Sequence, residues 1–203
     1  MTTVCNHYRN DIRKAQLELE LYGFEEISDL PRDIYPDRLG AVVVADAEHG
    51  PRWRAMRWGF PPPPKGNRPV TNVRNLTSPF WRAWLKPEFR CLVPFHQFAE
   101  YTDARPKREM WFAVSGEQLA FFAGIWRPWT GTRGPKSASV EGEHLLYSFL
   151  TCEPNAVVKP IHSKAMPVIL TTPEEAKSWL AAPEGAVEMM ARPLSDDFLL
   201  IVD

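Results

Sequence analysis

The chain has 203 residues, 44% of them apolar and 24% charged, with a formal net charge of −1 and three cysteines. These averages exclude a wholly disordered chain, and no apolar run approaches the ~20 residues that a bilayer-spanning helix needs. Cysteines at 5, 91 and 152, without a CxxC, argue against a disulfide framework or a zinc ribbon.

The length suits one domain. The 20 prolines and 12% aromatic residues point to many turns and short strands rather than a helical bundle, because proline removes a backbone donor. The first residues lack the basic-then-apolar build of a signal peptide, so a cytoplasmic location is expected.

In chain order, "DIRKAQLELELY" (residues 11–22) carries helical spacing and Gly23 supplies a stop. "AVVVADA" (41–47) and "WRAMRWGF" (53–60) read as strands joined at Gly50-Pro51. "PPPPKGNRP" (61–69) reads as a loop. "SPFWRAWLK" (78–86) has a capping Ser and Pro just inside, which predicts a helix. "FRCLVPF", "EMWFAVS", "QLAFFAGIW", "HLLYSFLTC" and "MPVILT" are β-rich, with a turn at Gly116. Pro135 to Glu143 reads as an exposed loop, and Thr172-Pro173 opens a helix over "PEEAKSWL". The order predicts an α+β domain with a curved, mostly antiparallel, barrel-like sheet and a few flanking helices.

Charge is uneven along the chain. Nine basic residues (Arg52, Arg54, Arg57, Lys65, Arg68, Arg74, Arg82, Lys86, Arg90) and one acid, Glu88, fall between 51 and 90. The run reads either as a local basic surface for a short anionic ligand or as scattered solvated arginines.

Four short segments hold the chemistry-bearing candidates. Cys5 reads as a small buried hydrophobe or, if residues 1–4 are removed, as a 1,2-aminothiol. Such an amine, of ordinary pKa ~7.7–8.0, attacks an aldehyde, and the thiol, at ~8.5, then closes a thiazolidine. Glu100 shares a strand face with Phe98, so it points either into a partly apolar pocket that would raise its pKa or to solvent at an edge. In "TNVRN" (71–75), Asn72 and Arg74 share a face if extended, suiting a hydroxyl or carbonyl and a phosphate; they also read as plain turn residues. His162 stands at a loop-to-strand corner, able to exchange a proton near neutrality or to serve structure. Cys91 and Cys152 read as core, and His96 stays undecided.

Taken together, Cys5, "RWGF" (57–60), "TNVRN", "RCLVPFHQFAEY" (90–101), "FAGIW" (122–126) and "IHSKAMPVIL" (161–170) resemble the SRAP family, SOS-response-associated peptidases understood as abasic-site processing proteins. The resemblance implies one SRAP domain over 1–203, with residues 1–4 removed, that cross-links an abasic site in single-stranded DNA through its N-terminal cysteine as a thiazolidine. It implies Cys5 as nucleophile, Asn72 holding the opened sugar, Glu100 as acid/base and His162 as the active-site histidine. It further implies Arg74 on phosphate, Trp58, Phe60 and Pro61 beside the groove as stacking residues, no metal or organic cofactor, and a monomer. Members usually begin Met-Cys; here "MTTV" intervenes, so either the Val4–Cys5 bond is cut, by the site itself or otherwise, or translation starts elsewhere, or Cys5 stays internal and the aminothiol mechanism fails. Many members have Cys-Gly-Arg where this chain has "CNH", so His7 replaces a phosphate-contacting arginine, and the contact is either lost or supplied by Arg9 or the basic run. The competing readings are a thiol-dependent peptidase acting on other proteins and a non-covalent single-stranded DNA-binding module.

Overall fold

Most of the β-rich runs are apolar on both faces, so they must be covered on both sides, and the chain meets this demand by closing one sheet and laying a second against it. The computed structural model describes residues 5–46, 48, 50–63, 66 and 68–202. Residues 1–4, Ala47 and Lys65, on which some of the expectations above fall, lie outside them.

The barrel is built from β3 (Leu39–Asp46), β4 (Gly50–Trp58), β6 (Arg90–Phe95), β9 (Ala120–Arg133) and β10 (Val140–Cys152). They run in the order β10-β4-β3-β6-β9, and β9 pairs back onto β10 to close the ring. All these pairings are antiparallel except β4 with β10, where Leu146 stands opposite Arg57 and Tyr147 opposite Trp58. Short strands β5 (Asn72–Val73), β11 (Met166–Pro167) and β12 (Ile169–Leu170) extend the ring along β10 and β9.

The second sheet is antiparallel, in the order β13-β8-β7-β1-β2. It contains β1 (His7–Arg9), β2 (Asp33–Ile34), β7 (Gln97–Tyr101), β8 (Glu109–Val114) and β13 (Leu199–Val202). The chain crosses from barrel to sheet at His96, whose N–H donates to Arg9 O at 2.8 Å. Between the two layers Phe95 stacks on Phe122 at 3.9 Å and Phe98 on Phe112 at 5.1 Å, with Tyr8, Trp58 and Phe149 beside them. Each fully buried ring of this kind contributes about 1.5–3 kcal/mol through apolar area removed from water.

The helices are α1 (Ile12–Leu19), α2 (Pro79–Arg82), α3 (Pro173–Ala181) and α4 (Val187–Met190) among the described residues. None is long and apolar enough to cross a membrane. α3 begins as predicted, with Thr172 Oγ1 accepting from Glu175 N. Its Trp179 caps the barrel wall, the indole N–H shared between Cys91 O (3.0 Å) and Gly124 O (3.1 Å). A Cβ at Gly124 would lie 2.7 Å from Cys91 Sγ, which is why this crossing takes glycine.

The α+β class and the curved, mostly antiparallel barrel are as expected; several boundaries differ. α1 stops at Leu19, because Glu20 turns left-handed one turn before Gly23. Gly50 and Pro51 belong to β4, opposite Asp46 and Ala45, and are not the turn. The helix predicted over 78–86 is a single turn, Pro79–Arg82. The predicted loop from Pro135 to Glu143 is too long, since Val140–Glu143 pairs with Thr130–Arg133 in the β9–β10 hairpin.

Candidate active site

Cys5 lies just ahead of β1, fully buried, with a positive φ of 34°. Such a backbone conformation costs a non-glycine residue about 1–3 kcal/mol and persists only where its surroundings hold it. What holds it is Glu100. The Cys5 backbone N–H donates to both carboxyl oxygens, at 3.0 Å to Oε1 and 2.9 Å to Oε2, and Cys5 Sγ lies 3.7 Å from His7 O. Burial and the neighbouring Glu100 push the Cys5 thiol well above its ordinary range, so in this state it is a thiol and not a thiolate.

Glu100 points inward because β7 alternates: Phe98 and Glu100 share the core-facing side, while Gln97, Ala99 and Tyr101 face the other way. Its carboxyl is 1% exposed. Burial pushes its pKa up to about 8, the Cys5 N–H draws it back down, and Asp103 adds a further push upward. It is therefore poised to give or take a proton near neutral pH.

His162 reaches the same strand end. Its Nδ1 is 3.3 Å from Tyr101 O and 3.8 Å from Asp103 Oδ1, and its buried Nε2 has no hydrogen-bond partner among the described residues. Burial lowers its pKa, outweighing Tyr101 O and Asp103, so the imidazole is neutral at pH 7. Asp103, which the sequence reading passed over, fixes this corner by accepting from Ser163 N (2.9 Å) and Ser163 Oγ (2.6 Å). Those bonds hold its own carboxyl below the usual range.

Asn72 sits on β5 opposite Phe149, half-buried, with Nδ2 donating to Thr71 Oγ1 at 3.0 Å. Arg74 follows it, its guanidinium donating to Lys164 O and pairing with Glu153. The four segments are thus joined in series: Cys5 to β7 through Glu100, β7 to the His162 loop through Tyr101 O, and that loop to "TNVRN" through Arg74.

The residues expected to stack on bases are placed otherwise. Trp58 and Phe60 are fully buried, Trp58 against Phe149 (5.2 Å) with its indole donating to Thr71 O, and Phe60 against Trp81 (5.6 Å). Neither ring offers a face to a base; both are packed in the core. Pro61 is half-buried where the loop leaves the Phe60–Val70 bridge. His7, expected at a phosphate, is buried between two carboxylates, and Arg9 donates to Asp33 (2.8 Å) while lying over Trp111 (3.8 Å).

The basic run does not form one patch. Arg90 is buried and donates to Leu85 O, Trp179 O and Ala182 O, while Arg52 and Arg54 both pair with Glu26. The spacing of charges along the chain carried no signal of this, because burial of Arg90 depends on α3 crossing over β6. Among the described residues no group of three His, Cys, Asp or Glu side chains could hold a metal ion.

The family model for SOS response associated peptidase (SRAP) matches residues 4–201. The chain belongs to the SRAP family. Membership supports a DNA-damage-associated role and is consistent with enzymatic activity. Solved structures similar to this SRAP protein include one from Bordetella bronchiseptica (20% identity, TM-score 0.78, covering 98% of this chain and 100% of that one). A second, from Bacteroides thetaiotaomicron, has 18% identity and a TM-score of 0.75, covering 98% and 92%. A phage-related protein from Bordetella bronchiseptica has 16% identity and a TM-score of 0.65, covering 98% and 93%. At these identities the likeness is one of fold. Among curated proteins, none matches the sequence.

Proposed function

We propose that this SRAP protein senses an abasic site in single-stranded DNA and links Cys5 to it as a thiazolidine, once residues 1–4 have been removed. The observation that carries the reading is the bidentate contact of the Cys5 nitrogen with Glu100. Hydrolysis of the Val4–Cys5 bond consumes one water and turns that nitrogen into an α-amine. Its ordinary pKa, ~7.7–8.0, would nearly match that of Glu100, so a proton passes between them at little cost.

The amine adds to the aldehyde of the opened sugar. Glu100 takes the proton from nitrogen and returns it to the departing hydroxyl, which leaves as water and gives the imine. The Cys5 thiol then adds across the C=N bond, sulfur to carbon and its proton to nitrogen, closing the five-membered ring. In this reading Asn72 hydrogen-bonds the opened sugar, neutral His162 relays a proton, and Arg74 exchanges Glu153 for a phosphate.

Intact mass spectrometry tests the reading. The expected result is a chain starting at Cys5 that gains the mass of an abasic single strand less one water. A chain retaining residues 1–4 that forms no adduct, or an adduct that survives Cys5→Ala, overturns it.

A further inference from the structure

His7 is 4% exposed, yet both of its ring nitrogens meet carboxylates. Nε2 is 2.8 Å from Asp33 Oδ1 on β2, and Nδ1 is 3.0 Å from Glu109 Oε1 on β8. The ring also stacks on Tyr35 at 4.0 Å and meets the edge of Trp111 at 4.5 Å. Each ring nitrogen thus lies within hydrogen-bond distance of a carboxyl oxygen, one on either side of the ring. Arg9 Nε reaches the same Asp33 Oδ1 at 2.8 Å, so two side chains of β1 converge on one carboxyl of β2.

The position of this cluster in the sheet gives it a consequence for the site. β1 starts at His7, which pairs with Ala99, and Cys5 lies outside the ladder. Upstream of His7, Cys5 is tethered by its contacts with Glu100 and with the His7 carbonyl. The contacts of His7 span β2, β1, β7 and β8, two residues downstream of Cys5.

We propose that His7, clasped between Asp33 and Glu109, is the positioning residue that holds Cys5 against Glu100. Its cross-linking arm rests on the function proposed above; a second readout does not. In that readout the full chain is treated with iodoacetamide and the modification of Cys5 is followed by mass spectrometry.

His7→Ala and His7→Phe are expected to speed Cys5 alkylation about ten-fold, because the segment opens locally. They are expected to slow cross-linking to an abasic single strand by about 10²-fold, as misplacement of a reacting group does. His7→Arg is expected to stay within about five-fold of wild type in both, since a guanidinium donates to two carboxylates at once. Phe refills the space but not the polar contacts, so the order Arg, then Phe and Ala together, separates the clasp from simple packing.

Wild-type rates in His7→Phe overturn the proposal. Lost cross-linking with unchanged alkylation also overturns it, because His7 would then act elsewhere than on the position of Cys5. If wild type itself does not cross-link while alkylation follows the expected order, the DNA reading fails and the clasp stands. Should the His7 variants fail to fold, Glu109→Gln removes one charge of the clasp and is expected to raise Cys5 alkylation about three-fold; an unchanged rate overturns the proposal.

Discussion

The backbone nitrogen of Cys5 and the carboxyl of Glu100 are 95 residues apart in sequence and 2.9 to 3.0 Å apart in space, both in buried residues. Removing the carboxyl takes away the proton acceptor without touching the nucleophile. Glu100→Gln is expected to slow adduct formation by about 10²-fold, whereas Cys5→Ala abolishes it. Time courses of adduct resolved on denaturing gels give both numbers, and equal rates in wild type and Glu100→Gln would remove Glu100 from the chemistry.

Burial of Glu100 also sets a pH dependence of stability. Its folded pKa, about 8, lies above that of an unfolded glutamate, so the folded chain holds the extra proton between roughly pH 4.5 and 8. The associated stability is fully present below the unfolded value and is lost as pH rises through the folded one, with a slope approaching ~1.4 kcal/mol per pH unit. Urea unfolding of wild type and Glu100→Gln between pH 5 and 9 isolates this contribution. The difference between the two is expected to shift steadily in favour of the variant as pH rises.

His162 has the opposite sign. Its folded pKa is lowered by burial, so the unfolded chain binds the extra proton and stability falls as pH drops below the unfolded value, ~6.5. His162→Gln is expected to remove this acid-side loss and to slow cross-linking at pH 7. Thermal melts from pH 5 to 7 check the first effect and adduct time courses the second.

Arg90 is a structural cation and not a DNA contact. Arg90→Met leaves Leu85 O, Trp179 O and Ala182 O without the donors they now have, at a cost of about 3 kcal/mol or more. Calorimetry is expected to show the lower melting temperature. The salt dependence of single-stranded DNA binding is expected to stay unchanged.

Arg74, by contrast, is surface-lying and exchangeable. Arg74→Ala is expected to weaken binding and reduce the slope of log K against log salt by about 0.7. Glu153→Gln, which removes the anion paired with the guanidinium, is expected to tighten binding by up to about five-fold, the size of an exposed ion pair. Fluorescence anisotropy at several salt concentrations reads both.

Much of this architecture is written locally in the sequence. The α+β class follows from the strand-rich, proline-punctuated order of elements. The start of α3 follows from Thr172-Pro173, and the shared face of Glu100 and Phe98 from strand alternation, because these depend on neighbours a few residues away; alternation leaves open which face is the buried one. The short strands β1, β2, β5 and β13 carried no such signal, since two to four residues are too few for a period and they exist only by pairing with distant partners.

Tertiary structure alone decided the rest. The family resemblance puts Trp58 and Phe60 beside the groove and the charge pattern puts Arg90 in a basic run, but closure of the barrel and the crossing of α3 bury all three. His7 became a clasp because β2 and β8 bring Asp33 and Glu109 to it from 26 residues downstream and 102 residues downstream. Sequence chemistry determines which groups can exchange protons or form bonds; whether they meet, and in what dielectric, is set by long-range pairing that no local pattern encodes.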